Sequence, residues 1–301
     1  MTDYIARHSL EQYLFIPKMF QGFPEIKEAL ISNRIQAGFL VAPLAIALRS
    51  QGVPIKIVFL GHRYGSAMVV KRGGPVKTVA DLKGKTIAIP SRFSDERLLL
   101  LRALKANGLG PTDVRTLEMA PPDVAGALAS DAIDGFVMGE PFPSQAEMGG
   151  FGQVLFHARE YWPDYMSCVL VVRDDIIEKR PEAVQVLVDG IARSGLWLDE
   201  GQTEREYAAE FVGRYYYNQP PSLLKWALTR PLDRVRFNPL LPRKDDFELV
   251  HGLMLEYGLI EKPIAFEDYV DARFAEGAVA ETAWDYPVGH GRMDVNQLPM
   301  E

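Results

Sequence analysis

Apolar residues come along this chain in two rhythms. Short unbroken runs, rich in β-branched and aromatic residues, occur at 13–16, 39–41, 55–60, 67–70, 86–89, 114–117, 133–138, 154–156 and 169–172. They predict strands, and unbroken apolar runs are the pattern of a sheet covered on both faces. Between several of them, apolar residues return every three or four positions, predicting helices over 24–32, 44–49, 95–107 and 122–128. Pro24 suits the first turn of its helix. Ser94 is placed to cap the helix over 95–107, and Gly108 to stop it. After Arg173 the strand signal ends. Helices are then predicted over 181–202, 203–217, 222–229 and 244–258.

One helix-to-strand step is written twice, 98 positions apart, beginning at Ala29 and at Ala127. Ala29, Leu30, Ser32, Ile35 and Pro43 return as Ala127, Leu128, Ser130, Ile133 and Pro141 with no gap. Each copy reads as a helix end, a polar turn, a short strand and a closing proline. Open α/β sheets bind ligands at the carboxyl ends of their strands. Two copies therefore predict two similar lobes, each offering a loop to a shared cleft.

At 301 residues the chain is long enough for two domains. The fold class is α/β, with the chain leaving one lobe and returning to it. Residues 1–74 with 165–281 are expected in the first lobe, 75–164 in the second, and 282–301 as a tail. Crossovers near 71–76 and 160–168 would form the hinge. A net charge of −7 argues against general nucleic-acid affinity. No window approaches the run of about 20 apolar residues that crosses a bilayer. Met1 to His8 lacks the basic start and apolar stretch of a secretory signal. Cys168 is the sole cysteine, so an internal disulfide is excluded.

Signatures of enzyme chemistry are thin. The chain has no glycine-rich nucleotide loop and no nucleophile elbow. Its five histidines share no metal-ligand spacing, and no cofactor is expected. The acidic pairs Asp174-Asp175 and Asp245-Asp246 sit at helix starts, where they favour the positive helix end. The candidates left are loops. Ser91-Arg92-Phe93-Ser94 joins a strand to a helix N-terminus, whose free N–H groups favour an anion, although Ser94 also serves as a plain cap. Phe23 stands in the equivalent earlier loop, as a pocket wall or as core. In the loop Gly61 to Ser66, Ser66 is the ligand candidate, and His62 and Arg63 read as solvated. Glu140 ends the second repeat strand as ligand contact or hinge group. Tyr161-Trp162 precedes the return crossover and reads as a pocket wall or, in preference, a domain seam. The ligand-binding set is Phe23, Pro43, Ser66, Ser91, Ser94 and Glu140, with Pro43 shaping the wall.

The repeat, the stretch Val79 to Lys85, Ile133-Asp134-Gly135-Phe136 with Gly139-Glu140-Pro141, and Val169 to Arg173 with Arg180-Pro181-Glu182-Ala183 together resemble a known family. Leu253 to Leu259 and Val270 to Phe274 add to it. The chain resembles the solute-binding proteins of ABC importers for nitrate, taurine and alkanesulfonates, the NMT1/THI5-like family. The resemblance implies a type II periplasmic-binding fold: two α/β lobes, two crossovers and a ligand between them. It implies an extracytoplasmic, monomeric protein that hands a small polar or anionic solute to membrane permease subunits. The lack of a leader leaves a cytoplasmic site open. It also implies a strand and a helix ahead of residue 13, for which residues 1–12 are too few, so the first lobe is expected to lack its N-terminal strand. Nitrate- and bicarbonate-binding relatives resemble this chain at Tyr64-Gly65-Ser66 but carry a longer amide at Ser66, a lysine near Ser167-Cys168 and tryptophan at Phe142. Those departures argue against a small inorganic anion. The rival readings are a thiamin-pyrimidine-synthase-like enzyme on the same fold, which needs a cysteine-rich segment absent here, and a ligand-sensing domain.

Overall fold

The computed structural model describes residues 15–214 and 219–280. The described chain begins with α1 (Phe23–Ile31), β1 (Ala37–Val41), α2 (Ala42–Ser50), β2 (Ile55–Leu60), β3 (Arg63–Tyr64) and β4 (Ser66–Lys71). Next come β5 (Thr86–Ile89), α3 (Asp95–Ala106), β6 (Arg115–Glu118), α4 (Val124–Ala129), β7 (Gly135–Gly139), α5 (Phe142–Met148), β8 (Gly152–His157) and α6 (Ala158–Tyr161). The return strand β9 (Cys168–Arg173) leads into α7 (Asp174–Lys179), α8 (Pro181–Glu200), α9 (Gln202–Val212) and α10 (Pro221–Thr229). The short β10 (Val235–Arg236), α11 (Lys244–Glu256), α12 (Phe266–Tyr269) and α13 (Arg273–Ala280) complete the described chain.

Two sheets carry the molecule. One is β1-β9-β2, with β9 antiparallel to both neighbours. The other is β6-β5-β7-β4-β8, parallel among β6, β5 and β7 and antiparallel at β4. The duplicated strands each pair with a crossover strand, β1 with β9 and β7 with β4. Asn33 and Asp131, equivalent in the two copies, both take left-handed φ, at 57° and 62°. This is a conformation that Asn and Asp tolerate better than other side-chain-bearing residues. The same turn hydrogen bond closes each copy, Arg34 N to Ala29 O at 2.8 Å and Ala132 N to Ala127 O at 2.9 Å. The strands then lie in one register against the crossover strands: Val41 faces Cys168 where Gly139 faces Ser66. The inner strands of both sheets are apolar on both faces, as their unbroken runs require. Leu40, Ile57, Val58 and Val171 are buried in the first, and Val69, Ala88, Phe136 and Val137 in the second.

Two expectations change. The strand over 67–70 is expected in the first lobe, ahead of a crossover at 71–76. It pairs instead with β7 and β8 in the five-stranded sheet, so the first crossover is residues 61–65. An apolar run carries no mark of which sheet will take it. His62 and Arg63, expected in solvent, are held inside. Arg63 is buried and donates to Asp246 Oδ2 at 2.7 Å, to Pro239 O at 2.8 Å and to Asp164 O at 3.0 Å. Asp246 therefore does more than favour a helix end, because it neutralises a buried guanidinium. Of the strand expected at 13–16, residues 13 and 14 lie outside the described residues, and Phe15 and Ile16 carry no strand. The expected tail, and the presence or absence of an N-terminal strand, also fall outside them.

The crossovers pair with each other. Tyr64 N donates to Tyr165 O at 3.1 Å, and Ser167 N to His62 O at 3.1 Å. The strand β10, from the helical C-terminal part, adds alongside β3. Tyr64 and Gly65 both take positive φ, 61° and 83°, and turn the chain into β4. A side chain at Gly65 would bear the cost of that left-handed backbone. Trp162 is buried edge-on against Tyr165, with the Arg102 guanidinium 5.1 Å from its ring.

Candidate functional site

The carboxyl ends of β1, β5 and β7 and the starts of β4 and β9 meet between the sheets, and helices α2 and α3 begin there. Ser94 caps α3 by accepting from Arg97 N at 3.2 Å. The next two residues, Asp95 and Glu96, turn inward and are buried. Asp95 Oδ2 accepts from Ala42 N, at the start of α2 in the other sheet's lobe, at 3.2 Å. Glu96 Oε1 accepts from Ser66 Oγ at 3.2 Å, and Ser66 Oγ accepts from Tyr165 OH at 3.1 Å. The result is a donor chain running from the return crossover, through the first residue of β4, to a carboxylate on α3.

Burial dominates the electrostatics. It pushes the Asp95 carboxyl well above its ordinary value, and the charge of Glu96 pushes the same way. Burial also raises Glu96, against the hydrogen bonds from its own backbone, Ser66 and Ser94. Helix α3 contributes the positive end of its dipole, which supports negative charge at its first turn. Burial, reinforced by the charges of Glu96 and Asp95, pushes the Cys168 thiol up to about 12. Such a thiol stays protonated at neutral pH and is a poor nucleophile.

A second buried network ties the crossovers to the five-stranded sheet. Arg234 Nε lies 2.9 Å from Glu140 Oε1, a contact of charges without hydrogen-bond alignment. Arg234 also pairs with Glu147 and donates to Ser144 Oγ at 3.2 Å. Glu140 Oε2 accepts from Ser144 N at 3.2 Å, in the first turn of α5. The backbone closes the ring: Glu140 N donates to Gly65 O at 2.7 Å, and Gly65 N to Arg234 O at 2.9 Å. Burial outweighs the attraction of Arg234 and raises the Glu140 carboxyl to about 7.

The expected site residues thus separate. Ser66 and Ser94 come together around Glu96, and Pro43 follows the Ala42 amide that Asp95 holds. Glu140 is engaged by Arg234 at the hinge, the second of its two readings. The Ser91 hydroxyl is spent locally, accepting from Phe93 N at 3.1 Å. Phe23 opens α1 and is half-buried against the core. Reasoning from sequence missed Asp95, Glu96, Tyr165 and Arg234. The first two had a signal: they open the helix that follows the strand-to-helix loop already singled out. Tyr165 and Arg234 had none, since their partners lie 99 and 94 positions away. Among the described residues, no cluster of three or more His, Cys, Asp or Glu is arranged to hold a metal ion.

Comparison with known proteins places this arrangement. Residues 6–213 match the model of the NMT1-like family. The chain belongs to the NMT1-like family. This NMT1-like protein is 33% identical over 196 residues to the taurine-binding periplasmic protein of Escherichia coli, a match covering 61% of this chain and 59% of that one. It is 27% identical over 144 residues to the nitrate/nitrite binding protein NrtA of a Nostoc species, covering 48% of this chain and 33% of that one. The chain therefore spans less than two thirds of the length of these curated relatives. Among solved structures, the ligand binding component of an ABC-type import system from Staphylococcus aureus superimposes with a TM-score of 0.83 at 23% identity, over 92% of each chain. The aliphatic sulphonate binding protein SsuA from Escherichia coli gives 0.69 at 21% identity, over 84% of this chain and 80% of that one. The desulfurization enzyme DSZB gives 0.60 at 16%, over 82% and 85%. At these identities the likeness is one of fold. The type II periplasmic-binding architecture of the NMT1-like protein accords with it, and the relatives just named from sequence are binding proteins.

Proposed function

We propose that this protein is the solute-binding component of an ABC-type importer. It would take a small polar solute between the two sheets, on the extracytoplasmic side, and deliver it to permease subunits. The observation that carries this reading is the meeting of polar groups from both lobes, Ala42 N and Tyr165 with Ser66, Asp95 and Glu96, at one point between strands of matching register. Membership of the NMT1-like family and the names of its relatives support the same reading. A solute that binds the closed arrangement better than the open one shifts the population toward it. Crossovers 61–65 and 162–167 are the segments about which the lobes would swing. The function is binding rather than catalysis: the sole thiol, Cys168, is held protonated by its surroundings, which speaks against a cysteine mechanism.

The test is native mass spectrometry of freshly purified protein for a co-purified small molecule. Small-angle scattering follows, with that molecule removed and restored. The expected result is a bound solute whose restoration lowers the radius of gyration. A protein that carries no solute and keeps one shape throughout would overturn the proposal.

A further inference from the structure

We propose that residues 230–237 form a third tether across the hinge, beside the two crossovers, and that Arg234 is the clasp by which it holds the second lobe against the first. This goes beyond the importer reading, because it concerns how freely the lobes move and needs no solute.

Both ends of the tether are fixed. Toward the first lobe the anchor is α8. Its Val184 and Val188 are buried in the core that holds β2 and β9. Gln185 Nε2 donates to Phe274 O at 3.0 Å, on α13, which packs on β2. The far end of α8 is knotted to the tether. The buried Arg205 pairs with Asp199 and donates to Leu198 O, Leu228 O and Val235 O, at 2.9 Å each. Asp199 Oδ2 also accepts from Phe237 N at 3.0 Å. Toward the second lobe, the Arg234 side chain is 2% exposed and meets Glu140, just after β7, with Ser144 and Glu147 on α5. Its neighbour Asp233 pairs with Arg159 on α6, and α10 packs on α5. Between these anchors β10 lies in the hinge itself. It pairs with β3, whose Arg63 bridges on its other side to Met166 of the return crossover. The hinge is therefore a ribbon of three strands.

A hinge of two strands bends and twists through a few backbone torsions. A third strand alongside, fixed in one lobe and clasped to the other, limits both motions. The second lobe can swing by carrying β10 with it, which pulls on the Arg205 knot, or by leaving Arg234 behind. The latter strands a buried guanidinium and its carboxylate partners, and parting a buried ion pair is strongly unfavourable. The ribbon is also stiff where it meets the clasp. Tyr64, between β10 and the return crossover, holds a left-handed φ of 61°, sparsely populated for a residue with a side chain. Its hydroxyl pins it there by donating to Pro163 O at 2.6 Å. Other polar contacts between the lobes are slighter, such as the single bond from Ala42 N to Asp95 and the surface pair Lys105–Glu256. Exposed pairs contribute little, so Arg234 carries more of the restraint than these do.

The experiment measures the spacing of the lobes in the full chain, refolded from urea to remove any bound solute. Nitroxides are placed on Gln51→Cys in the first lobe and Asp123→Cys in the second, both exposed positions, and double electron–electron resonance gives the distribution of distances. Protein without the added cysteines supplies the background from Cys168. The distribution is compared in four proteins: the labelled parent, Arg234→Met, Glu147→Gln, and Arg173→Met as a control. Arg173 bonds Leu30 O and Asp175, both inside the first lobe, so its loss weakens the fold without touching the tether. In Arg234→Met the fraction outside the parent's main peak should rise about tenfold, within the usual range of coupling between two sites. Glu147→Gln should move it the same way by less, and Arg173→Met should leave it unchanged. Hydrogen exchange at the Tyr64, Val235 and Arg236 amides should quicken in Arg234→Met. A parent-like distribution in both tether variants, with unchanged circular dichroism, would overturn the proposal, as would an equal change in Arg173→Met. Should Arg234→Met fail to fold, Glu147→Gln against Arg173→Met decides. Failure here leaves the importer reading to the search for a co-purified solute, and a protein that carries no solute leaves the tether standing.

Discussion

Glu140→Gln isolates a single ionisation at the hinge. The carboxyl is nearly buried, beside Arg234, and burial raises it from 4.5 to about 7. A carboxyl raised in the native state binds its proton more tightly when folded than when unfolded. Stability from this group is therefore complete below pH 4.5 and is lost as pH climbs from 4.5 to about 7. At about 1.36 kcal/mol per unit, the shift corresponds to roughly 3 kcal/mol. The variant's amide cannot ionise, so it escapes that loss. Any packing or hydrogen-bond change caused by the substitution is common to both ends of the range and cancels when the pH dependence is compared. Urea unfolding followed by tryptophan fluorescence, run on both proteins at several pH values, gives the quantity directly. The unfolding free energy of the variant minus that of wild type should rise by about 3 kcal/mol from pH ~4.5 to pH ~8. A difference that stays flat would mean that Arg234 keeps Glu140 ionised throughout and that burial does not prevail.

Arg63→Met leaves Asp246 buried with only Arg243 and orphans two carbonyls, so urea unfolding should show a loss of about 3–5 kcal/mol, the cost of breaking a buried pair. Ser94→Ala removes the cap of α3 and should cost about 1 kcal/mol in the same assay. Gly135→Ala places a Cβ 2.7 Å from the Val69 carbonyl in a packed sheet, so thermal unfolding should show a loss of about 1–3 kcal/mol. The equivalent position in the first repeat already carries Ala37, and Ala37→Gly should be milder. Equal effects at the two sites would contradict the account of the clash.

Much of the architecture was legible in the residues. The doubled segment from Ala29 and from Ala127 predicted two similar lobes, and its turns share a φ sign, a hydrogen bond and a register against the crossover strands. Thr86–Ile89 and Ile55–Leu60 fall on the predicted residues, and Ser94 caps the helix it was placed to cap. These features are local, set by side-chain periodicity and by the needs of turns and helix ends, which neighbours in sequence decide. The tertiary structure alone decided that β4 joins the five-stranded sheet, that Arg63 and Arg234 are buried ions, and that Asp95 and Glu96 meet Ala42, Ser66 and Tyr165. An apolar strand fits either sheet, and a charge near a helix start reads as solvated until its partner is known. Those partners stand 30 to 183 positions away along the chain, as with Ser66 to Glu96 and Arg63 to Asp246, and only the folded arrangement brings them within bonding distance.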